Sequence, residues 1–418
     1  MNKREFIRTM AVSGLAATAA GRHLTARAAT EPTASAAPAG EFWAGVRAQY
    51  RLDPDRINFE NGYYCIMPEP VLEATAARMR AQNLSGSYYL RTRMEDDRLV
   101  VRRRLAEFAG CATEELVVTR NTTESLDTVI AGFDWKAGDE AVMAAQDYGS
   151  MLDMFRVQAR RHGIVNRVVS LPRHPVDDDE IVRLYEGALG PRTRLLMVSH
   201  LVNITGQILP IRKICDMAHS RGVPVMVDGA HTFAHLDFRI PDLGCDYYGA
   251  SLHKWLGAPL GHGLLYVRRD RIAGLWPLFG ETNYADDDIR KLNHVGTHPV
   301  PTELAILDAL DFHQHIGAAR KEARLRELQE RWTRQVRGLK GLTLNTPAQS
   351  ARACAIANVR VDRLSPGALA KTLLEQHRIW TVAIDSDAAD VHGVRVTPNI
   401  FTTPEEVDGL AAALRSLA

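Results

Sequence analysis

The chain has little cysteine and no cysteine pattern. Its 418 residues hold five, Cys65, Cys111, Cys215, Cys245 and Cys354, widely scattered and without a CxxC pair. That excludes a disulfide framework and a zinc knuckle and leaves ordinary reduced thiols. Charge of one sign is also missing. Against 51 Lys and Arg stand 50 Asp and Glu, so no field is available to hold nucleic acid or an anionic membrane surface. No apolar run reaches the roughly 18 residues that a spanning helix requires, and no internal repeat is visible. What the chain does have is length and apolar content: 46% of its residues are hydrophobic, enough to bury one large core or two modest ones. Small-molecule chemistry is the starting expectation.

The first residues do not read as fold. Met1 to Arg8 carries Lys3, Arg4 and Arg8, Thr9 to Ala20 is short and weakly apolar, and Ala26-Arg27-Ala28 has the small-x-small form of a cleavage site. This three-part pattern predicts an export signal over residues 1–28, followed by a low-complexity linker over 29–45. Lys3-Arg4-Glu5-Phe6-Ile7-Arg8 resembles the twin-arginine consensus, with lysine in place of the first arginine. Removing residues 1–28 takes away five basic residues and one acidic one, so the formal charge moves from +1 to −3. The expectation is a periplasmic protein with no membrane attachment after the leader is gone. A cytoplasmic location is the alternative, should the segment be only a floppy tail.

From Arg47 onward, helical patterns alternate with short β-rich runs, which predicts an α/β sheet wrapped by helices. Seven strands are expected at Leu116–Thr119, Glu140–Ala144, Arg167–Leu171, Leu195–His200, Val223–Val227, Tyr247–Ala250 and Gly263–Val267. Most are continuous apolar runs, as in strands covered on both faces. A long charged helical pattern from Thr302 to Val336 then leads to Ala355–Val361, helix Pro366–His377, Val394–Thr397 and helix Pro404–Leu417. The expected organisation is a large domain over 46–300, then the long helix and a small C-terminal domain over 301–418.

Chemistry-bearing residues fall at the ends of these strands. Val223-Pro-Val-Met-Val-Asp228 delivers a carboxylate at a strand's C-terminal end, where open α/β sheets place ligands. Ala250-Ser-Leu-His-Lys-Trp255 leaves another strand and presents Lys254 beside Ser251 and His253. Alone, such a lysine is ordinarily a solvated surface group; a buried carboxylate nearby changes that reading. Thr119-Arg-Asn-Thr-Thr-Glu-Ser125 follows a strand and opens a helix, so amides and hydroxyls converge where a phosphate could sit. By itself that segment would be plain helix capping. His231 and His235 form a His-x3-His pair but lack an intervening glutamate, and the acidic runs Asp177–Glu180 and Asp286–Asp288 lack the glycine and spacing of a calcium loop. No metal is expected.

Together these pieces resemble the class V aminotransferase family of pyridoxal-phosphate enzymes, which holds cysteine desulfurases and isopenicillin N epimerase. The resemblance runs from Asn58-Phe-Glu-Asn-Gly-Tyr-Tyr64 to Arg395-Val-Thr-Pro-Asn-Ile-Phe-Thr-Thr-Pro-Glu-Glu-Val-Asp408. It implies fold type I of the pyridoxal-phosphate-dependent transferases: a mostly parallel seven-stranded sheet wrapped by helices, which carries the cofactor, plus a smaller α+β C-terminal domain. It implies pyridoxal 5'-phosphate as cofactor, Lys254 as the catalytic residue joined to it, and Asp228 facing the pyridine nitrogen. A carboxylate there keeps the nitrogen protonated, and the protonated ring withdraws electrons from a carbanion at Cα.

By the same resemblance Thr122, Thr123, Ser251 and His253 hold the phosphate and Tyr148 stacks on the ring. Asn203 and His231 bond the phenolic oxygen, His231 standing where many relatives have glutamine. Gly296-Thr297 matches a segment that reaches the phosphate of a neighbouring subunit, which implies a homodimer with a shared site. Arg395 is implied to bind the substrate α-carboxylate, a bidentate task suited to guanidinium, with Asn61 and Tyr63 also at substrate-binding positions.

Desulfuration needs a nucleophilic cysteine shortly before that arginine, and Thr381 to Val394 contains none. Asn61-Gly-Tyr-Tyr64, His377-Arg-Ile-Trp-Thr381 and Asn293-His-Val-Gly-Thr297 are similar to the isopenicillin N epimerase-like branch. The expected function is transamination or epimerisation at the amino-bearing carbon of an amino acid or small peptide. A C–S or C–N lyase acting on a modified amino acid is the alternative. A non-catalytic ligand-binding protein is a third reading, opposed by the intact Lys254, Asp228 and Arg395. Epimerisation calls for a second base opposite Lys254, for which His294 and Tyr63 are both candidates.

Overall fold

The computed structural model describes residues 39–418; the expected leader and the first part of the linker lie outside the described residues. The last part of that linker is not irregular: Ala39–Arg47 is a helix, ended by a turn that leads to a short first strand, β1 (Ile57–Asn58). Seven further strands build the central sheet: β2 (Leu116–Thr119), β3 (Glu140–Ala144), β4 (Val165–Val169), β5 (Thr193–Ser199), β6 (Val225–Asp228), β7 (Tyr247–Ser251) and β8 (Gly263–Val267). Their order is β2-β8-β7-β6-β5-β3-β4. The pairings from β4 through β7 are parallel, and β8 runs antiparallel to both of its neighbours. Strands β2, β3, β6, β7 and β8 are buried along their whole length, which is why they read as unbroken apolar runs.

The expected strand at Arg167–Leu171 lies two residues earlier. Its register on β3 pairs Glu140 with Val165 and Ala144 with Val169. As an edge strand β4 leaves Val165 and Val168 exposed, so its apolar pattern does not mark its limits. The single long helix expected over Thr302–Val336 is three helices, Val300–Leu304, Ile306–Ile316 and Ala318–Val336. The second break is at Gly317, with φ 88° and ψ 133°, a conformation that closes a helix and that glycine adopts without a Cβ penalty.

A four-stranded antiparallel sheet follows, made of β9 (Leu342–Leu344), β10 (Ala357–Val361), β12 (Val382–Ser386) and β13 (Val391–Val396), in the order β12-β13-β10-β9. The expected helices are there, at Pro366–His377 and Pro404–Ser416. Strand β11 (Ile379–Trp380) pairs not with that sheet but with β1, in parallel. The N-terminal segment therefore belongs with the C-terminal half of the chain rather than with the large sheet. Phe59 is buried with Leu328, Trp332, Val394 and Val396, and Arg47 forms an ion pair with Glu406 at 2.8 Å. A parallel bridge from Glu60 to Thr397 carries this pairing up to the edge of the central cavity.

Candidate active site

Strands β2, β5, β6 and β7 all end on one side of the sheet, the side where α/β sheets bind ligands. Their ends line a cavity of about 290 Å³. Asp228 closes β6, and Gly229 follows it; a Cβ at Gly229 would lie 1.9 Å from the Tyr248 ring, so only glycine lets the chain turn away here. The Asp228 carboxylate accepts one bond, from the Ala230 amide at 2.9 Å, and its remaining oxygen capacity faces the cavity. Burial raises its pKa, an effect opposed by the Ala230 bond and by the charge of Lys254.

Beyond β7 a tight turn sets Lys254 on the cavity floor. Desolvation pushes its pKa down to about 8, Asp228 and Glu60 favour its charge, and Arg395 opposes it. Its Nζ lies 3.2 Å from His231 Nε2. At the other wall, the helix Thr122–Gly132 points its N-terminus into the cavity. Asn121 caps it through the Glu124 amide at 2.9 Å, while Ser251 Oγ accepts from the Thr122 amide at 2.9 Å and sits 2.7 Å from Thr122 Oγ1. This clip ties the helix start to the end of β7, and the unsatisfied amides of a first turn attract anions. Among the described residues His253 Nδ1 is buried without a partner, and burial lowers its pKa to about 4, so it meets the cavity as a neutral ring.

Arg395 enters from β13. Its guanidinium does not stand free. Glu60 accepts from it at 2.5 Å (Nη2) and 3.3 Å (Nε), both side chains are 8% exposed, and the Tyr63 amide donates to the same carboxylate at 2.9 Å. Gly62 lies flat against the guanidinium, where a Cβ would come within 3.0 Å. Tyr63 and Arg395 form the partition to a second cavity of about 740 Å³, with Leu52, Ile66, Trp380 and Phe401 among its walls.

Of the residues expected at the site, Lys254, Asp228, Thr122, Thr123, Tyr148, Asn203, His231, Ser251, His253, Tyr63 and Arg395 all line the first cavity. Asn61 does not: it is fully buried, its Nδ2 donates to the Thr397 carbonyl at 2.8 Å, and its amide donates to Thr397 Oγ1 at 2.7 Å. It fastens the Glu60 segment to the end of β13 and offers a substrate nothing. Thr297 lies outside the first cavity, in a small neighbouring one with Glu124 and His298. His294 likewise does not line the first cavity; its Nδ1 lies 3.0 Å from Glu281. His235 donates from Nδ1 to the His231 carbonyl and accepts at Nε2 from the Ala355 amide, so neither nitrogen faces the cavity. Two residues that matter here were missed. Glu60 lies in the Asn58–Tyr64 segment, where nothing local announces its partner, 335 residues away; Trp255 directly follows Lys254, and nothing local announces its contact with His231.

The profile of the aminotransferase class-V family matches residues 65–410. The chain belongs to that family. It is 33% identical over 403 residues to the isopenicillin N epimerase of Amycolatopsis lactamdurans, an alignment covering 90% of this chain and 98% of the relative. The isopenicillin N epimerase of Streptomyces clavuligerus is 31% identical, with the same coverage of both chains. A probable cysteine desulfurase of Xylella fastidiosa is 26% identical, over 91% of this chain and 97% of the relative. Among solved structures, the cystine C–S lyase C-DES, bound to its product cysteine persulfide, superposes with a TM-score of 0.79 at 26% identity, over 87% of this chain and 98% of that one. A lysine-to-alanine mutant of C-DES, with glycine covalently linked to the PLP cofactor, gives 0.80 at 25% identity, over 91% and 100%. The fold is type I of the pyridoxal-phosphate-dependent enzymes, and the chain is an enzyme of that cofactor class.

Proposed function

We propose that this enzyme acts at the amino-bearing carbon of an amino acid or small peptide metabolite, by transamination or epimerisation. The convergence of Lys254, Asp228 and Arg395 on one cavity carries this reading. The residues present fit pyridoxal phosphate. Asp228 offers a buried carboxylate with no cationic hydrogen-bond partner among the described residues, suited to a protonated ring nitrogen, and the Thr122–Gly132 N-terminus with Thr123, Ser251 and His253 offers an anion cradle. Bound there, the cofactor supplies an electron sink for charge developing at Cα. The chain's own work is then to present the Lys254 amine for attachment and for moving the Cα proton, to hold a carboxylate through Arg395, and to cover the ring with Tyr148.

The larger cavity beyond the Tyr63–Arg395 partition supports a substrate with an arm longer than a free amino acid's, lying along Trp380 and Phe401. The likeness to two isopenicillin N epimerases favours epimerisation; Tyr63, which lines the cavity within the same chain, is one candidate for the second base, and His294, which lies near Thr297, is the candidate that a neighbouring subunit would supply. C–S or C–N lyase chemistry is the second reading, supported by the likeness to C-DES. No cysteine lines the cavity among the described residues, and Cys354 is fully buried with its thiol pushed up to about 12 by burial, which weighs against a desulfurase-type nucleophile. Mass spectrometry of products from amino acids and short peptides, in deuterated water and with or without a 2-oxo acid acceptor, separates these outcomes. Deuterium at Cα without net change supports epimerisation, a new amino acid from the acceptor supports transamination, and loss of a side-chain fragment overturns both.

Export to the periplasm and a homodimer that brings Thr297 of one subunit to the neighbouring site complete the reading. Cell fractionation should find a chain beginning near Ala29 in the periplasm, and Arg4→Lys should keep it inside the cell; sedimentation should give twice the monomer mass. A cytoplasmic full-length monomer would contradict both.

A further inference from the structure

The residue after Lys254 is an indole, fully enclosed, and aimed at the same histidine that meets the lysine. Trp255 Nε1 donates to His231 Nδ1 at 3.4 Å, and His231 Nε2 lies 3.2 Å from Lys254 Nζ. An indole nitrogen can only donate, and a neutral imidazole has one donor and one acceptor. If Nδ1 accepts, the proton of His231 is on Nε2, and that N–H points at the lysine nitrogen. We infer that Trp255 is a positioning residue that selects the Nε2–H tautomer of His231, so that His231 donates to Lys254 and holds it as a free, oriented amine.

The surroundings make Trp255 a fixed donor. Its ring stacks on His235 with centroids 3.8 Å apart, and its carbonyl accepts from the buried Lys321. His235 is locked in turn, since it donates to the His231 carbonyl and accepts from Ala355. The charges around the pair agree with a neutral His231. Burial, then Lys254, Arg395, His235 and His253, all disfavour its protonation. Around Lys254, burial and Arg395 disfavour the ammonium while Asp228 and Glu60 favour it. A donor from His231 sides with the amine. The opposite tautomer would set two N–H groups face to face at Trp255 and turn the Nε2 lone pair toward Lys254, stabilising the ammonium instead.

The inference rests on Lys254 being the residue that takes the cofactor, and its test reads the amine without the cofactor, so the two can fail separately. In the full chain stripped of pyridoxal phosphate, the rate of Lys254 acetylation by acetic anhydride is followed against pH at the Lys254 peptide by mass spectrometry. Trp255→Phe removes the donor, and the midpoint should rise by about one pH unit, a tenfold change in the amine fraction. In His231→Gln, whose amide can donate without help from the indole, Trp255→Phe should leave the midpoint where it was. An equal shift in both backgrounds, or none in either, overturns the inference. Should Trp255→Phe fail to fold, nitrogen NMR of the unaltered chain labelled at histidine decides: a proton on His231 Nε2 supports the assignment and one on Nδ1 overturns it. Covalent capture of cofactor by borohydride in the unaltered chain tests the role of Lys254 independently.

Discussion

Lys254→Ala is expected to lower turnover about a thousandfold or more while leaving the fold intact. On the proposed reading one amine has two duties, attaching the cofactor and moving the Cα proton, and a methyl group would perform neither. The side chain sits on the cavity floor and not in the packed core, so its loss opens no void among buried apolar groups. The unaltered chain, incubated with pyridoxal phosphate and reduced with borohydride, should carry the cofactor mass on the Lys254 peptide, and the variant should carry none. Turnover within about tenfold of the unaltered enzyme would rule the assignment out.

Arg395→Ala is the second large effect. A guanidinium bonded to a substrate carboxylate contributes about 1.5–3 kcal/mol per charged hydrogen bond, so kcat/KM for carboxylate substrates should fall about a hundredfold or more. Amines lacking the carboxylate should be far less affected, and cofactor capture should persist. The structure adds a complication with its own consequence. Glu60 already occupies the guanidinium, so an incoming carboxylate must share or displace it, and Arg395→Ala strands a carboxylate that is 8% exposed. Stranding a charge at that depth costs about 3–5 kcal/mol of stability. The pair of variants Glu60→Gln and Glu60→Gln with Arg395→Ala separates the effects: the double variant should recover melting temperature but not carboxylate turnover. Equal losses for amines and amino acids would make Arg395 structural. Arg91 and Arg93, in the tyrosine-rich segment Tyr88-Tyr-Leu-Arg-Thr-Arg93, are solvent-exposed and line neither cavity of the site.

Much of the site was readable because each part of it is local. Asp228 ends a four-residue buried strand, Lys254 lies three residues past another, and Thr122 starts a helix directly after its capping residue Asn121. Apolar continuity, turn chemistry and capping preferences all act within a few residues, so the sequence carries them directly. The misjudged elements have physical causes of the opposite kind. Strand β4 is set by pairing with β3 rather than by its own pattern, and Asn61, polar and next to the site, is consumed by Thr397. The three helices between Val300 and Val336 read as one in sequence because the charged periodicity continues across Ala305 and Gly317.

By itself the sequence determined the class of fold and, through the family resemblance that its short motifs carry, the cofactor class, since strand ends, caps and a lysine motif are properties of short segments. Only the tertiary structure decided what those residues meet. The parallel pairing of β1 with β11 and the bridge from Glu60 to Thr397 bring a carboxylate onto Arg395. The parallel pairing of β6 with β7 brings His231, beyond one strand, to Lys254 and Trp255, beyond the other. Such contacts depend on strand register and ring orientation, which are set by packing across the whole chain and leave no mark in the spacing of residues along it.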